Sequence, residues 1–206
     1  MPKIKQSPKL PPEKRRRQLL RAAYFLFLKK GYRMTTTEEI ARKAGLTKGA
    51  LYHHFKSKED MLYILVREIS DMMWDSFVSR IKKDGKPIEF LSAMLEHHDV
   101  VPRPKFEDII DIYTQGLRIP RIKRLIAKQM QDGVQYFCES VNPVYTGNKK
   151  ALKEVGTFLL ALHDGLFWMK LFLPSLVNEK NQLKLIECCF DFDRLLKKKQ
   201  KGMAVS

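Results

Sequence analysis

Nowhere in this chain of 206 residues do apolar and polar side chains alternate over the length of a strand. Apolar residues recur three and four apart, and Gly, Pro and capping residues break the runs. That pattern predicts an all-α fold. The first helix is expected from Pro11-Pro12, with Leu19, Ala22, Ala23, Leu26 and Phe27 on one stripe and Gly31 at its end. Thr36-Thr37-Glu38-Glu39 reads as a capping box opening a second helix, Glu38 to Ala44, that stops at Gly45. Thr47 opens a third, to about His54, and Ser57 caps a fourth, to about Ile81. Further helices are expected at about 87–98, 104–116, 120–141, 149–173 and 178–199. The breaks between them are Val101-Pro102-Arg103-Pro104, Ile119-Pro120, Asn142-Pro143 with Gly147, and Pro174. A hydrophobic content of 44% is enough to fill a core in each of one or two small domains.

Charge narrows the class of partner. The formal net charge is +16, and residues 1–60 hold sixteen Lys and Arg against five Asp and Glu. Such a balance attracts polyanions, nucleic acid first and anionic membrane second, and locates the contact in the N-terminal third. Residues 1–10, with Lys3, Lys5 and Lys9, read as a flexible basic arm. With Lys14-Arg15-Arg16-Arg17 this segment either touches DNA or is a solvated tail. Three cysteines, two of them adjacent, make no disulfide framework, which fits a cytoplasmic protein. No signal peptide is expected from the opening residues. His163, Asp164 and Lys170 interrupt the apolar stretch Phe158 to Leu173, so no membrane partner is expected.

Thr36 to Phe55 is the most informative segment. Two short helices joined at Ala44-Gly45-Leu46 have the dimensions of a helix-turn-helix, which needs a positioning helix, a tight turn and a second helix for the major groove. Ile40, Ala41, Leu46 and Leu51 would pack inward. Thr47, Lys48, Gly49, Tyr52 and His53 would then face outward, mixing donors with a residue small enough for close backbone approach.

This segment resembles the TetR family of one-component transcriptional repressors. The resemblance covers about 50 residues, 12–65. It is carried by Ala22-Ala23, Leu26-Phe27, Gly31-Tyr32, Thr35-Thr36, Ile40-Ala41, Ala44-Gly45 and Lys48 through Glu59. It implies a bacterial or archaeal regulator with an arm (1–10), a three-helix DNA-binding domain (11–57) and a helical effector-binding and dimerisation domain (58–206). Residue by residue, Thr47, Lys48, Gly49, Tyr52 and His53 match family positions that contact DNA. Thr36 and Lys58 match phosphate-binding positions, and Thr37 joins that face. Both Thr36 and Lys58 stand where helix N-termini favour anions. Phe25 and Leu28 depart from the pattern. They are apolar where the family has polar residues, so the first helix is expected to be more buried against the second domain.

Beyond residue 65 the resemblance is architectural. It implies a homodimer through two late helices, and a reader of two half-sites needs a two-fold axis in any case. Phe158, Leu162 and Leu166 on one helix, and Leu185, Cys189, Phe192 and Leu196 on the other, are the interface candidates. Plain core packing is the alternative for part of both stripes. Candidate walls of an effector pocket are Met72, Met73, Phe77, Met94, Phe106, Tyr113, Phe137 and Trp168, residue types that suit an apolar or amphipathic small molecule. His97-His98-Asp99 with Cys138 or His163 does not give ligand spacing, so no metal and no cofactor are expected.

The function read from the sequence is therefore a DNA-binding transcriptional repressor, released from a pseudo-palindromic operator by a small-molecule effector. Two rivals stand beside it: a helical ligand-binding protein whose basic face binds other anions, and a cofactor-free helical-bundle enzyme. The second lacks a convergent acid, base and nucleophile, so the chain is not expected to be an enzyme.

Overall fold

The computed structural model describes residues 11–81, 84–96, 114, 116–141, 145 and 148–196. In chain order the helices are α1 Pro12–Lys30, α2 Thr37–Lys43, α3 Lys48–His54 and α4 Lys58–Val78. They continue with α5 Pro87–Glu96, α6 Pro120–Ser140, α7 Lys149–Phe172, α8 Glu179–Cys189 and α9 Phe192–Leu196. Among the described residues the only β feature is an isolated bridge between Gly85 and Val141.

Local chemistry sets the helix ends where the sequence places them. Pro12 occupies the first turn of α1, and Gly31, with φ 83°, ends it. Asn148 and Asn178 cap α7 and α8, accepting from the amides of Ala151 and Asn181 at 3.1 Å. α7 stops at Phe172, ahead of Leu173-Pro174, where the proline disfavours a helical Leu173.

The chain divides into two compact units, one within Met1–Asp71 and Pro102–Ile126, the other within Met72–Val101 and Ala127–Ser206. The first has a core of Leu19, Ala23, Phe27, Ile40, Leu51, Phe55, Met61 and Leu62. Ile122, at the start of α6, is buried in the same core. This unit therefore takes in more than residues 11–57: the first turns of α4 and the first residues of α6 complete it. Arg121 fixes α6 there, donating to Asp60 at 3.1 Å with its guanidinium 3.6 Å from the centroid of Tyr63. The second unit is built around Phe77, Phe90, Leu91, Phe137, Leu152 and Leu159.

Two expectations need correction. The helix predicted at 178–199 breaks at Phe190, which is extended (φ −119°, ψ 111°). Asp191 then accepts from the amide of Arg194 at 2.9 Å and starts α9. In one unbroken helix, residues 190 and 192 would point to nearly opposite faces. The break lets both reach the core, with Phe190 4.8 Å from the Phe158 ring and Phe192 6.2 Å from Phe190. As a result Phe192 and Leu196 are buried within their own unit and are not on a face open to a second copy. The other correction concerns Phe25. It is 47% exposed, and its ring lies under the Lys43 ammonium, 3.6 Å away. Leu28, by contrast, is partly buried, against the first unit's own core.

Candidate DNA-binding site

The site is built on the α2–α3 corner. The capping box forms: the amide of Glu39 donates to the Thr36 hydroxyl at 3.3 Å, and the amide of Thr36 donates to Glu39 Oε2 at 2.9 Å. Lys30 Nζ also donates to Glu39, at 2.5 Å, which ties α1 to α2. These bonds hold the Glu39 carboxyl down at about 2, with Lys30 the largest cause and the Thr36 amide next.

The turn is a Schellman closure. The Leu46 amide reaches the Ala41 carbonyl at 2.9 Å and the Gly45 amide reaches Arg42 at 3.0 Å. Gly45 has φ 65°, a conformation that costs a side-chain-bearing residue. Thr47 then caps α3, its hydroxyl accepting from the Ala50 amide at 3.2 Å. Leu51 and Phe55 are fully buried and clamp α3 onto the first unit. The rotation of α3 follows from that clamp. Thr47, Lys48, Gly49, Tyr52 and His53 are all exposed.

A methyl group placed on Gly49 would meet only the Thr47 hydroxyl, at 3.9 Å. Among the described residues nothing requires a glycine there, although glycine weakens a helix. Thr37 and Tyr52 touch through their hydroxyls at 3.3 Å, and Lys48 pairs with Glu38. Arg16 lies over Phe55, 5.4 Å from the ring centroid, so the basic start of α1 meets the end of α3. Burial, then His53 and Arg15, push the His54 pKa below the ordinary imidazole range.

Lys58 is placed differently from the others. Its ammonium donates to the carbonyls of Tyr32 at 2.9 Å, Thr35 at 2.8 Å and Arg33 at 3.4 Å, and it lies 4.4 Å from the Tyr32 ring centroid. An ammonium has three donors, and all are engaged within the chain. Burial, then the charge of Lys30, lower its pKa. The Thr36 hydroxyl is likewise committed, donating to Glu39 at 2.9 Å. The reading of these residues as helix termini gave their position on the surface. The capping box also gives Glu39 as the partner of Thr36, but nothing local gives the carbonyls that Lys58 meets. Glu38 is read from the sequence only as part of the α2 start, not as a residue of the site. The only available signal was its charge, an acidic residue on a basic face.

Of the predicted pocket residues, the structure brings three together, in a packed core. Phe77, Met94 and Phe137 are buried in the second unit's core, where Phe90 packs 5.1 Å from Phe77 and 4.9 Å from Phe137, ring to ring. Met72 and Trp168 are exposed and Met73 is partly so. Phe106 and Tyr113 lie outside the described residues, as do His97, His98, Asp99 and the arm 1–10. Of the interface candidates, Phe158, Leu185 and Cys189 are exposed, and Leu162 and Leu166 partly so. Neighbouring Trp168, Met169, Phe172 and Leu173 add exposed apolar surface at the end of α7, with Phe172 71% exposed. His163 Nδ1 lies 2.9 Å from Asp164. Burial, then Glu139, raise the Cys138 pKa.

Fold and corner together define an all-α protein with an N-terminal helix-turn-helix. Residues 19–63 match the family described as bacterial regulatory proteins, tetR family. That match covers the helix-turn-helix part of the chain. Over 83 residues it is 36% identical to the HTH-type transcriptional repressor KstR2 of Mycolicibacterium smegmatis, covering 40% of each chain. The chain thus matches less than half the length of that relative. Its fold is similar to that of a regulator from Pseudomonas aeruginosa PAO1 described as putative, with a TM-score of 0.71 at 17% identity over 91% of this chain and 96% of that one. It is also similar to the multidrug binding protein EbrR complexed with imidazole, with a TM-score of 0.64 at 17% identity over 93% and 94%. Among the described residues no helix is long and apolar enough to cross a membrane.

Proposed function

We propose that the chain is a transcriptional repressor that binds a pseudo-palindromic DNA operator as a homodimer and leaves it when a small apolar or amphipathic molecule binds the second unit. The observation that carries this reading is the outward face of α3. Its exposed donors surround a glycine that no packing among the described residues requires. Residues 19–63, which include this face, match the tetR family of bacterial regulatory proteins, and the chain is similar to KstR2, a repressor by name. Thr47, Lys48, Gly49, Tyr52 and His53 are the residues proposed to reach bases and phosphates, with Thr36 and Thr37 beside them. Lys58 supports the α1–α2 loop on which that face rests.

Dimerisation is proposed through the exposed apolar surface of α7 and α8, at Phe158, Phe172 and Leu185. Release follows if the effector binds one arrangement of the two recognition helices better than the other. Operator and effector must then weaken each other's binding by the same factor. EbrR, a protein of the same fold described as a multidrug binding protein, supports a small-molecule effector.

Selection of bound duplexes from a random pool tests the reading. The expected product is two inverted half-sites separated by about one helical turn, ~34–36 Å, or a multiple of it. A pool that shows no enrichment after repeated rounds would contradict it.

A further inference from the structure

A DNA-facing surface has little use for a carboxylate, yet the tip of α2 holds one. Glu38 is the second residue of α2 and its side chain is 55% exposed. Its neighbour Glu39 is committed to Lys30 and to the α2 cap. Glu38 instead turns to the recognition helix. One carboxylate oxygen pairs with the ammonium of Lys48, and the other accepts from the Thr37 hydroxyl at 3.2 Å. That hydroxyl lies 3.3 Å from the Tyr52 hydroxyl, and the Lys48 ammonium lies 5.8 Å from the centroid of the Tyr52 ring. Glu38, Thr37, Tyr52 and Lys48 thus form one chain of contacts across the outward face. Lys48 is the only Lys or Arg of α3, and its charge is matched before any DNA arrives.

Stability does not account for this pair. Exposed ion pairs add little to folding, and α2 is already capped by Thr36 and Glu39. Its effect on binding is larger. Affinity for DNA of any sequence comes from cations set against phosphates. A lysine held by a carboxylate adds little to that affinity, and freeing it leaves a negative charge facing the backbone. A guanine edge in the major groove offers two acceptors, O6 and N7, in place of the carboxylate. We propose that Glu38 is a specificity-determining residue, which withholds Lys48 from backbone phosphates and yields it to base-edge acceptors. The pair stays ionised near neutrality: Lys48 pulls the Glu38 carboxyl down and Glu38 raises the lysine. This role rests on the DNA-reading function proposed above.

The test compares the full-length wild-type protein with Glu38→Gln, which keeps the side chain's size and its acceptor for Thr37. Each is titrated, over a salt series, against a duplex recovered by selection and a shuffled duplex of equal composition. Glu38→Gln should bind the shuffled duplex about five-fold more tightly, with a log–log salt slope steeper by about 0.9. The selected duplex should gain less than about two-fold, so discrimination falls. Adding Lys48→Ala should remove the gain on shuffled DNA. Equal gains on both duplexes would make Glu38 a uniform repulsive charge and overturn the proposal. Losses on both, with a lower melting temperature, would make it a brace and overturn it too. If the wild-type protein showed no salt-dependent affinity for any duplex, the DNA-reading function itself would fall, and the role of Glu38 with it.

Discussion

At the scale of single residues, the informative positions are those whose internal role and binding role can be separated. Gly49 has room for a methyl group and sits in a helix, where alanine is favoured by about 0.5–1 kcal/mol. Gly49→Ala should therefore raise stability by about that amount in a urea titration and weaken binding to the selected duplex. An alanine variant that bound as tightly as wild type would show that close approach is not what the glycine is for. Lys58 should behave the other way. Its three donors are spent on the carbonyls of Tyr32, Arg33 and Thr35, so Lys58→Met should cost about 1–3 kcal/mol of stability and leave the salt slope of DNA binding unchanged. A slope shallower by about 0.9 would restore the phosphate-binding role that the family resemblance implied. The sequence could place Gly49 and Lys58 on the surface because helix period and caps are local signals. It could not show that Lys58 reaches back 26 positions to Tyr32, or that Glu38 meets Lys48 across the turn, because those partners depend on how the helices pack.

At the scale of helices, caps and turns were the most legible part of the chain. Thr36, Gly45 and Thr47 act through their own neighbours within a few positions, so their spacing alone carries the information. The break at Phe190 was not legible. Leu185, Cys189, Phe192 and Leu196 fall on one stripe of an ideal helix, and only the pull of Phe190 and Phe192 toward a common core divides them. The α2 cap also gives a pH dependence. Glu39 is held from the ordinary 4.5 down to about 2, chiefly by Lys30 and then by the Thr36 amide. Because the folded value is the lower one, this contribution is complete above 4.5 and fades as pH falls toward 2. Urea midpoints measured at descending pH across that window should drop less in Glu39→Gln than in wild type. Parallel curves for the two proteins would mean that the carboxylate does not stabilise the α2 start.

At the scale of the whole molecule, the sequence identified the first unit by a motif and the second only by its apolar content. Periodicity marks a side chain as apolar but does not say whether it faces its own core, a second copy or a ligand. Phe77, Met94 and Phe137 prove to be core, whereas Phe172 and Leu185 remain exposed. The proposed assembly follows from that sorting. Leu185→Glu or Phe172→Glu should give a folded monomer by light scattering, with cooperative melting retained. Phe192→Glu should instead unfold the chain, because its side chain is buried. A dimer that survived both surface substitutions would place the interface elsewhere. The central claim is that the α2–α3 corner reads DNA, and amide hydrogen exchange with and without the selected duplex tests it most directly. The account predicts slowed exchange across residues 36–55. Protection confined to the second unit, with the corner unchanged, would contradict it.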